Sequence, residues 1–149
     1  MLDYQRQDSP QTLSEGIAEY FAANEHHFNK RSLPPEASEF FRCHDAAHVV
    51  FGCDISLNDE AVVKISSVFG TTVGWSVLKG YRLPESKEVY EELRLVDIIH
   101  TSVSSLYLVP LTIWRCLRMH KRWHWDNFDE FLDVPLGQVR EVFGIQVPH

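Results

Sequence analysis

The organising stretch of this chain is CHDAAHVVFG, residues 43–52. If the stretch is helical, His44 and His48 lie one turn apart on the same face, and Asp45 lies three residues before His48. Gly52 is placed to end the helix in a left-handed conformation. The stretch therefore predicts two imidazoles and a carboxylate gathered on one apolar face.

A second helix follows, and its first turn carries another carboxylate. The run SLND, residues 56–59, is typical of a helix start, with Ser56 or Asn58 as the N-cap. Glu60 then falls in the first turn and can reach back over the two histidines. Burying four ionisable groups together is too costly unless a proton or a cation neutralises them. We therefore predict a divalent metal site, against the alternative of hydrogen-bonded core histidines.

The same residues carry a resemblance to a known family. His44, Asp45 and His48, then eleven residues, then Glu60 match the signature of the coenzyme Q (ubiquinone) biosynthesis protein 4 family. The following Val-Val-Lys and the closing VREVFGI, residues 139–145, are also similar to that family. The resemblance runs over residues 37–149. Members are generally longer, so we expect this chain to lack an N-terminal helical portion.

The resemblance implies a metal-dependent role in quinone biosynthesis. Relatives act at the oxidative decarboxylation of a polyprenylated hydroxybenzoate-type ring, where a hydroxyl replaces the carboxyl group. The motif residues would be both the metal ligands and the catalytic residues (His44, Asp45, His48 and Glu60). We expect zinc first, with iron(II) or manganese(II) as alternatives. The implied partners are a prenylated quinone precursor, other proteins of the pathway, a membrane surface and a second copy in a homodimer.

Composition sets the protein class. At 149 residues, with 44% hydrophobic and 23% charged residues, the chain predicts one globular domain. A net charge of −7 argues against general nucleic-acid binding. Three irregularly spaced cysteines make no disulfide framework, which favours the reducing cytoplasm. The polar N-terminus predicts no signal peptide, and no apolar run is long enough to span a bilayer. Any membrane contact would be peripheral, at the inner face.

Strand signals are weak throughout, and helical periodicity recurs along the chain. The predicted fold is an all-α, single-domain bundle of about six to seven helices. Asp97 and His100, three residues apart on a long helix, are expected as outer partners of the site, unless they simply pair with each other.

Two further sets of residues suggest contact with lipid. Gly70 and Gly74, four apart on the third predicted helix, would let a prenyl chain or another helix approach the backbone. Trp114, Trp123 and Trp125 alternate with basic residues, as at a membrane headgroup layer; the alternative is a set of core tryptophans.

Two other functions stay open. A His-Asp type metal phosphohydrolase would use His44 and Asp45 with His26 or His27 and with Asp97, but it gives His48 and Glu60 no purpose. A non-catalytic lipid-binding or scaffold protein would use the metal only to pin two helices together.

Overall fold

The computed structural model describes residues 1–25, 34–82 and 95–148, of which 82 and 95–105 are described by their backbone alone. Five α-helices form in these ranges: α1 (Leu13–Ala23), α2 (Pro35–Val50), α3 (Leu57–Phe69), α4 (Leu95–Leu117) and α5 (Leu136–Phe143). Three 3-10 segments accompany them: Asp3–Gln5, Gly74–Arg82 and Asp129–Phe131. The described ranges contain only isolated β-bridges and no strand. The predicted all-α bundle is confirmed.

Local sequence signals account for where these helices begin and end. The Thr12 hydroxyl accepts a hydrogen bond from the Glu15 N–H, and the Glu15 side chain reaches back to the Thr12 backbone. This capping box starts α1 three residues after Pro10. Pro35 is the first residue of α2, where a missing N–H costs nothing. Gly52, at a φ of +70°, ends α2, and the Ser56 hydroxyl caps α3.

Helix α2 is the centre of the bundle. Every residue from 43 to 50 is buried, and α1, α3 and α5 all contact this helix. Ala46, Ala47, Val49 and Val50 supply most of the apolar contacts of its second half. Because this half is enclosed on all sides, polar side chains that it carries are removed from water together with the apolar ones.

The two glycines predicted on one helical face occupy different environments. Helix α3 ends at Phe69, so Gly70 is its C-cap and Gly74 begins the next segment at a φ of +55°. A Cβ at Gly70 would lie 3.2 Å from the sulfur atoms of Cys116 and Met119, both near the end of α4. Gly70 therefore serves close packing with that part of the chain, as the alternative interpretation held. The predicted small-residue face on one helix is wrong, because the turn separates the two positions.

A buried arginine joins the two ends of the sequence. Arg140, on α5, is fully buried and donates hydrogen bonds to the carbonyl oxygens of Val50 and Val49 at 2.9 and 2.8 Å. It also donates to the carbonyls of Tyr4, at 2.6 Å, and Arg6. Its guanidinium thus satisfies carbonyls at the C-terminal end of α2, where a positive charge is favoured by the helix dipole. The sequence identified this arginine only as part of a family resemblance.

Candidate metal centre

Three predicted ligands meet between α2 and α3. Nε2 of His48 lies 3.1 Å from Oε1 of Glu60, and Nε2 of His44 lies 3.9 Å from Oε2 of the same carboxylate. One ligand atom from each residue lies within 4.8 Å of the other two. A tetrahedral zinc ion requires ligand atoms about 3.4 Å apart. Small side-chain rotations would bring these three atoms to that spacing, so the three residues can hold a metal ion.

Two ring nitrogens at this centre are buried without a hydrogen bond in the part of the chain that the structure describes. They are Nε2 of His44 and Nδ1 of His48. Nε2 of His48 has a close neighbour, the Glu60 carboxylate at 3.1 Å, and this contact lowers the pKa of Glu60. Buried polar atoms are normally satisfied. A cation that accepts the nitrogen lone pairs would satisfy them.

The carboxylate at this centre is in the form that a metal requires. Burial by itself raises the pKa of Glu60, but the two histidines and Lys64 outweigh it and lower the pKa to about 2. Glu60 is therefore ionised near neutral pH. An ionised carboxylate and two imidazoles are ligands that zinc, iron(II) and manganese(II) accept.

Asp45 lies beside this group and is not part of it. Its carboxylate oxygen is 3.6 Å from Nδ1 of His44, the ring nitrogen on the opposite side from Glu60. Successive residues on a helix point in different directions. The Asp45 side chain would therefore have to rotate to reach the space between His44 and Glu60. In this position Asp45 can orient the His44 ring, as carboxylates commonly do for metal-binding histidines.

Aromatic rings enclose the two histidines. Tyr20 of α1 stacks on His48 with ring centroids 5.2 Å apart, and Phe40 stacks on His44 at 5.8 Å. Tyr81, in the 3-10 segment Gly74–Arg82, meets the His44 ring edge-on at 5.6 Å. Burial and the nearby carboxylates raise the pKa of Tyr20, so its phenol stays neutral. Sequence reasoning missed Tyr20 and Tyr81 as neighbours of the site, because no local pattern places them there.

The approach of Tyr81 depends on a glycine. A Cβ at Gly80 would lie 2.1 Å from the Phe40 ring, so any larger residue would push the segment away from α2. Gly80 therefore allows Tyr81 to reach the histidines.

A lysine also lies next to the centre. Lys64 follows Glu60 by one turn of α3, and its ammonium is 5.4 Å from the centroid of the Tyr81 ring. Burial lowers the pKa of Lys64, and the charge of Glu60 opposes that effect. The four-residue spacing of Lys64 from Glu60 is a sequence signal that both side chains lie on the same face of a helix.

The remaining predicted site residues have different outcomes. The side chains of Asp97 and His100 lie outside the described residues, as do His26 and His27 entirely. Cys43 and Cys53, which lie close to the motif in sequence, are buried free thiols outside the ligand group. Burial raises the pKa of both thiols, to about 12 for Cys43, so they behave as small apolar residues.

The three tryptophans do not share one environment. Trp123 is fully buried against the rings of Phe128 and Phe143, and Trp125 is only 6% exposed. The prediction that these two contact a membrane is wrong, because the chain folds back after α4 and takes both into the core. Trp114 is 48% exposed, and the Arg118 guanidinium lies 4.9 Å from its ring centroid.

No described helix combines the length and apolar character needed to cross a membrane. Comparisons with protein-family models, curated proteins and solved structures find no match to this chain. The resemblance to the ubiquinone-biosynthesis family stays a prediction that rests on the motif residues.

Proposed function

We propose that this chain is a divalent-metal protein whose ligands are His44, His48 and Glu60. Zinc is the first candidate, and iron(II) and manganese(II) are alternatives. One observation carries the proposal: the ring nitrogens of two buried histidines converge on an ionised, half-buried carboxylate. Three protein ligands leave a position for water or substrate, the arrangement typical of catalytic rather than structural sites.

Side chains of this protein would hold the ligands in place around that open coordination position. A divalent ion held there supplies a Lewis acid that polarises an oxygen of the substrate. Asp45 orients the His44 ring, and Tyr20 and Phe40 fix the planes of the two imidazoles by stacking. The complete burial of His48 keeps bulk water away from one side of the site.

For the reaction, we propose the one that the family resemblance implies. The substrate is a polyprenylated hydroxybenzoate-type ring; its carboxyl group leaves as carbon dioxide and a hydroxyl takes its place. This exchange removes two electrons from the ring, so an oxidant is needed because zinc itself has no redox role. Water would supply the hydroxyl oxygen, and the two electrons would go to dioxygen, which becomes hydrogen peroxide, or to another protein of the pathway.

The geometry favours this proposal over the phosphohydrolase alternative. His48 and Glu60, which that alternative leaves without a purpose, lie in the ligand group, and Asp45 lies beside it. The scaffold alternative uses the same metal ligands and differs only in lacking a reaction. An experiment on the reaction product therefore separates it from the proposal.

The test is complementation of a strain deficient in this quinone-biosynthesis step. Wild-type chain should restore quinone, and Asp45→Asn should lower the restored amount about 10-fold or more, because the His44 ring loses its orienting carboxylate. Asp126→Asn, at an exposed position, is the control and should leave the amount unchanged. Quinone content is measured by mass spectrometry of lipid extracts. A purified chain that releases a prenylated ring into solvent but restores no quinone would select the scaffold function.

We also propose that the chain contacts an anionic membrane surface through helix α4. Its apolar face, defined as Leu106, Tyr107, Trp114 and Leu117, is 48–81% exposed, and the helical spacing places all four on one side. Exposed basic residues follow directly (Arg118, Lys121 and Arg122) in a chain of net charge −7. Apolar side chains beside a local positive charge suit insertion among anionic headgroups.

Sedimentation with lipid vesicles tests this contact. Binding should require phosphatidylglycerol in the phosphatidylcholine vesicles and should weaken as salt is raised. The double variant Leu106→Glu, Leu117→Glu should bind the anionic vesicles at least about 10-fold more weakly than the wild type. Two apolar side chains are replaced by negative charges, which the anionic lipid repels. Val142→Glu, which changes an exposed apolar residue of α5, is the matched control. Equal binding to neutral and anionic vesicles would contradict the proposal.

A further inference from the structure

An open cleft lies on the side of α3 that faces away from the metal centre. Val62 lines this cleft, and it is on the opposite side of α3 from Glu60 because the two residues are two apart on a helix. The cleft has a volume of about 280 Å³, and its apolar floor includes Val62, Phe51 and Ile145. The end of α4 forms its other wall. Drug-sized ligands occupy ~300–1,000 Å³, so this cleft suits a small ligand or one group of a larger ligand.

The cleft is lined by a cation that has no counter-charge. Arg115, in the last turn of α4, is half-buried, and its guanidinium makes no ion pair or hydrogen bond in the described part of the chain. The described residues that line the cleft include no Asp or Glu. Two thiols near Arg115, those of Cys53 and Cys116, stay neutral because burial raises the pKa of each. A half-buried guanidinium without a carboxylate is unusual in a chain of net charge −7, and it favours an anionic ligand.

A buried hydroxyl lies beside this cation. Thr112 precedes Arg115 by three residues on α4, lines the same cleft and is only 3% exposed. The Ser67 hydroxyl of α3 donates to the carbonyl four residues back, but the Thr112 hydroxyl makes no hydrogen bond among the described residues. The Ser66 hydroxyl, which also lines the cleft, is already bonded to the sulfur of Cys116. Buried polar groups normally have a partner, so the Thr112 hydroxyl needs an acceptor from outside the described chain.

We propose that this cleft binds a phosphate group through the Arg115 guanidinium and the Thr112 hydroxyl. A guanidinium donates two parallel hydrogen bonds to two oxygens of an anion. A carboxylate has no further oxygen for the hydroxyl, whereas a phosphate offers a third one. The apolar floor would contact the organic group that carries the phosphate. This inference is independent of the proposed metal centre, which lies on the other side of α3.

Two sources of phosphate share this chemistry. One is a small phosphorylated molecule in solution, which the size of the cleft suits. The other is the headgroup of an anionic lipid, since Arg115 directly follows Trp114 of the apolar face of α4. Both use the same two donors, and the experiment below distinguishes them.

Titration of the full chain with inorganic phosphate at constant ionic strength tests the cleft. The amide NMR signals of Thr112 and Arg115 should shift with phosphate concentration. Arg115→Met should weaken phosphate binding at least about 10-fold, because the charge-assisted hydrogen bonds are lost. Thr112→Val, which keeps the shape of the side chain, should weaken it about 3- to 10-fold. Arg6→Met, at an exposed arginine outside the cleft, is the control and should bind phosphate like the wild type.

A metal-ligand variant separates this inference from the metal centre. Glu60→Gln should lose metal affinity and keep wild-type phosphate affinity. If phosphate affinity falls in Glu60→Gln and not in Arg115→Met, phosphate binds at the metal centre and this inference is wrong, while the metal centre stands. Equal phosphate affinity in wild type, Arg115→Met and Thr112→Val would also overturn it. If Arg115→Met loses its helical circular dichroism, Thr112→Val decides the outcome alone.

Vesicles containing phosphatidylglycerol identify the source of the phosphate. A lipid headgroup is assigned if Arg115→Met sediments with these vesicles at least about 3-fold less than the wild type and if inorganic phosphate competes with the vesicles. A small phosphorylated molecule is assigned if Arg115→Met loses phosphate binding but sediments like the wild type. Either result supports the phosphate cleft, because both require that Arg115 binds phosphate.

Discussion

Replacement of Arg140 by leucine is expected to lower the free energy of unfolding by about 3–5 kcal/mol. The guanidinium is fully buried and donates to carbonyl oxygens from two parts of the chain: the end of α2, and the N-terminal segment at Tyr4 and Arg6. Leucine fills part of the volume but leaves these acceptors without donors. A loss of this size is a large share of the stability of an ordinary domain. Urea denaturation followed by circular dichroism measures it.

Two further variants test the stated cause. Arg140→Lys should lose part of the same stability, because an ammonium cannot reach all these carbonyls with the planar fork of a guanidinium. Arg122→Leu, at an exposed position, should change the free energy of unfolding by less than about 0.5 kcal/mol. If Arg140→Leu lost less than about 1 kcal/mol, the hydrogen bonds would not be the reason for burying this arginine.

Metal affinity should fall at least about 100-fold in Glu60→Gln and in His48→Ala, because the first replaces an anionic ligand by a neutral amide and the second removes a ligand. Asp45→Asn should lose about 10- to 100-fold, the range typical of a group that orients a ligand. Competition with a chromophoric chelator measures these affinities for zinc. Zinc should also raise the thermal unfolding temperature of the wild type and not that of the first two variants.

The fold of each variant must be intact for this comparison. Glu60→Gln is nearly isosteric and should keep its helical circular dichroism, so it is the decisive variant even if His48→Ala unfolds. His120→Ala, an exposed histidine outside the ligand group, is the control and should retain wild-type affinity. Wild-type zinc affinity in Glu60→Gln would falsify the proposed ligand set.

The sequence predicted that His44, His48 and Glu60 lie together, because short-range geometry sets their positions. The four-residue spacing of His44 and His48 places both on one face of any helix that contains them. Ser56 caps the next helix, and this fixes Glu60 in its first turn. The same spacing rules could not decide whether Asp45 is a ligand, because that depends on the side-chain directions of adjacent helical residues and on what the second helix brings near.

The residues that the sequence predicted at a membrane surface illustrate the opposite case. A mixture of tryptophans and basic residues fits both a headgroup layer and a core with a charged outer face. Trp114 is on α4 and is half exposed, whereas Trp123 and Trp125 lie after the helix ends and return to the core. Composition alone carries no information on the direction in which the chain turns after Leu117.

The sequence by itself determined the all-α class, the end of α2, the start of α3 and three of the four residues that it named as metal ligands. Each of these follows from interactions within one or two helical turns, such as caps, glycine turns and side chains spaced by four residues. Tertiary structure alone decided that Arg140 bonds the end of α2, that Tyr81 reaches His44 and that Trp123 is buried. These contacts join residues far apart in the chain, and they form only where the packed helices bring their side chains together.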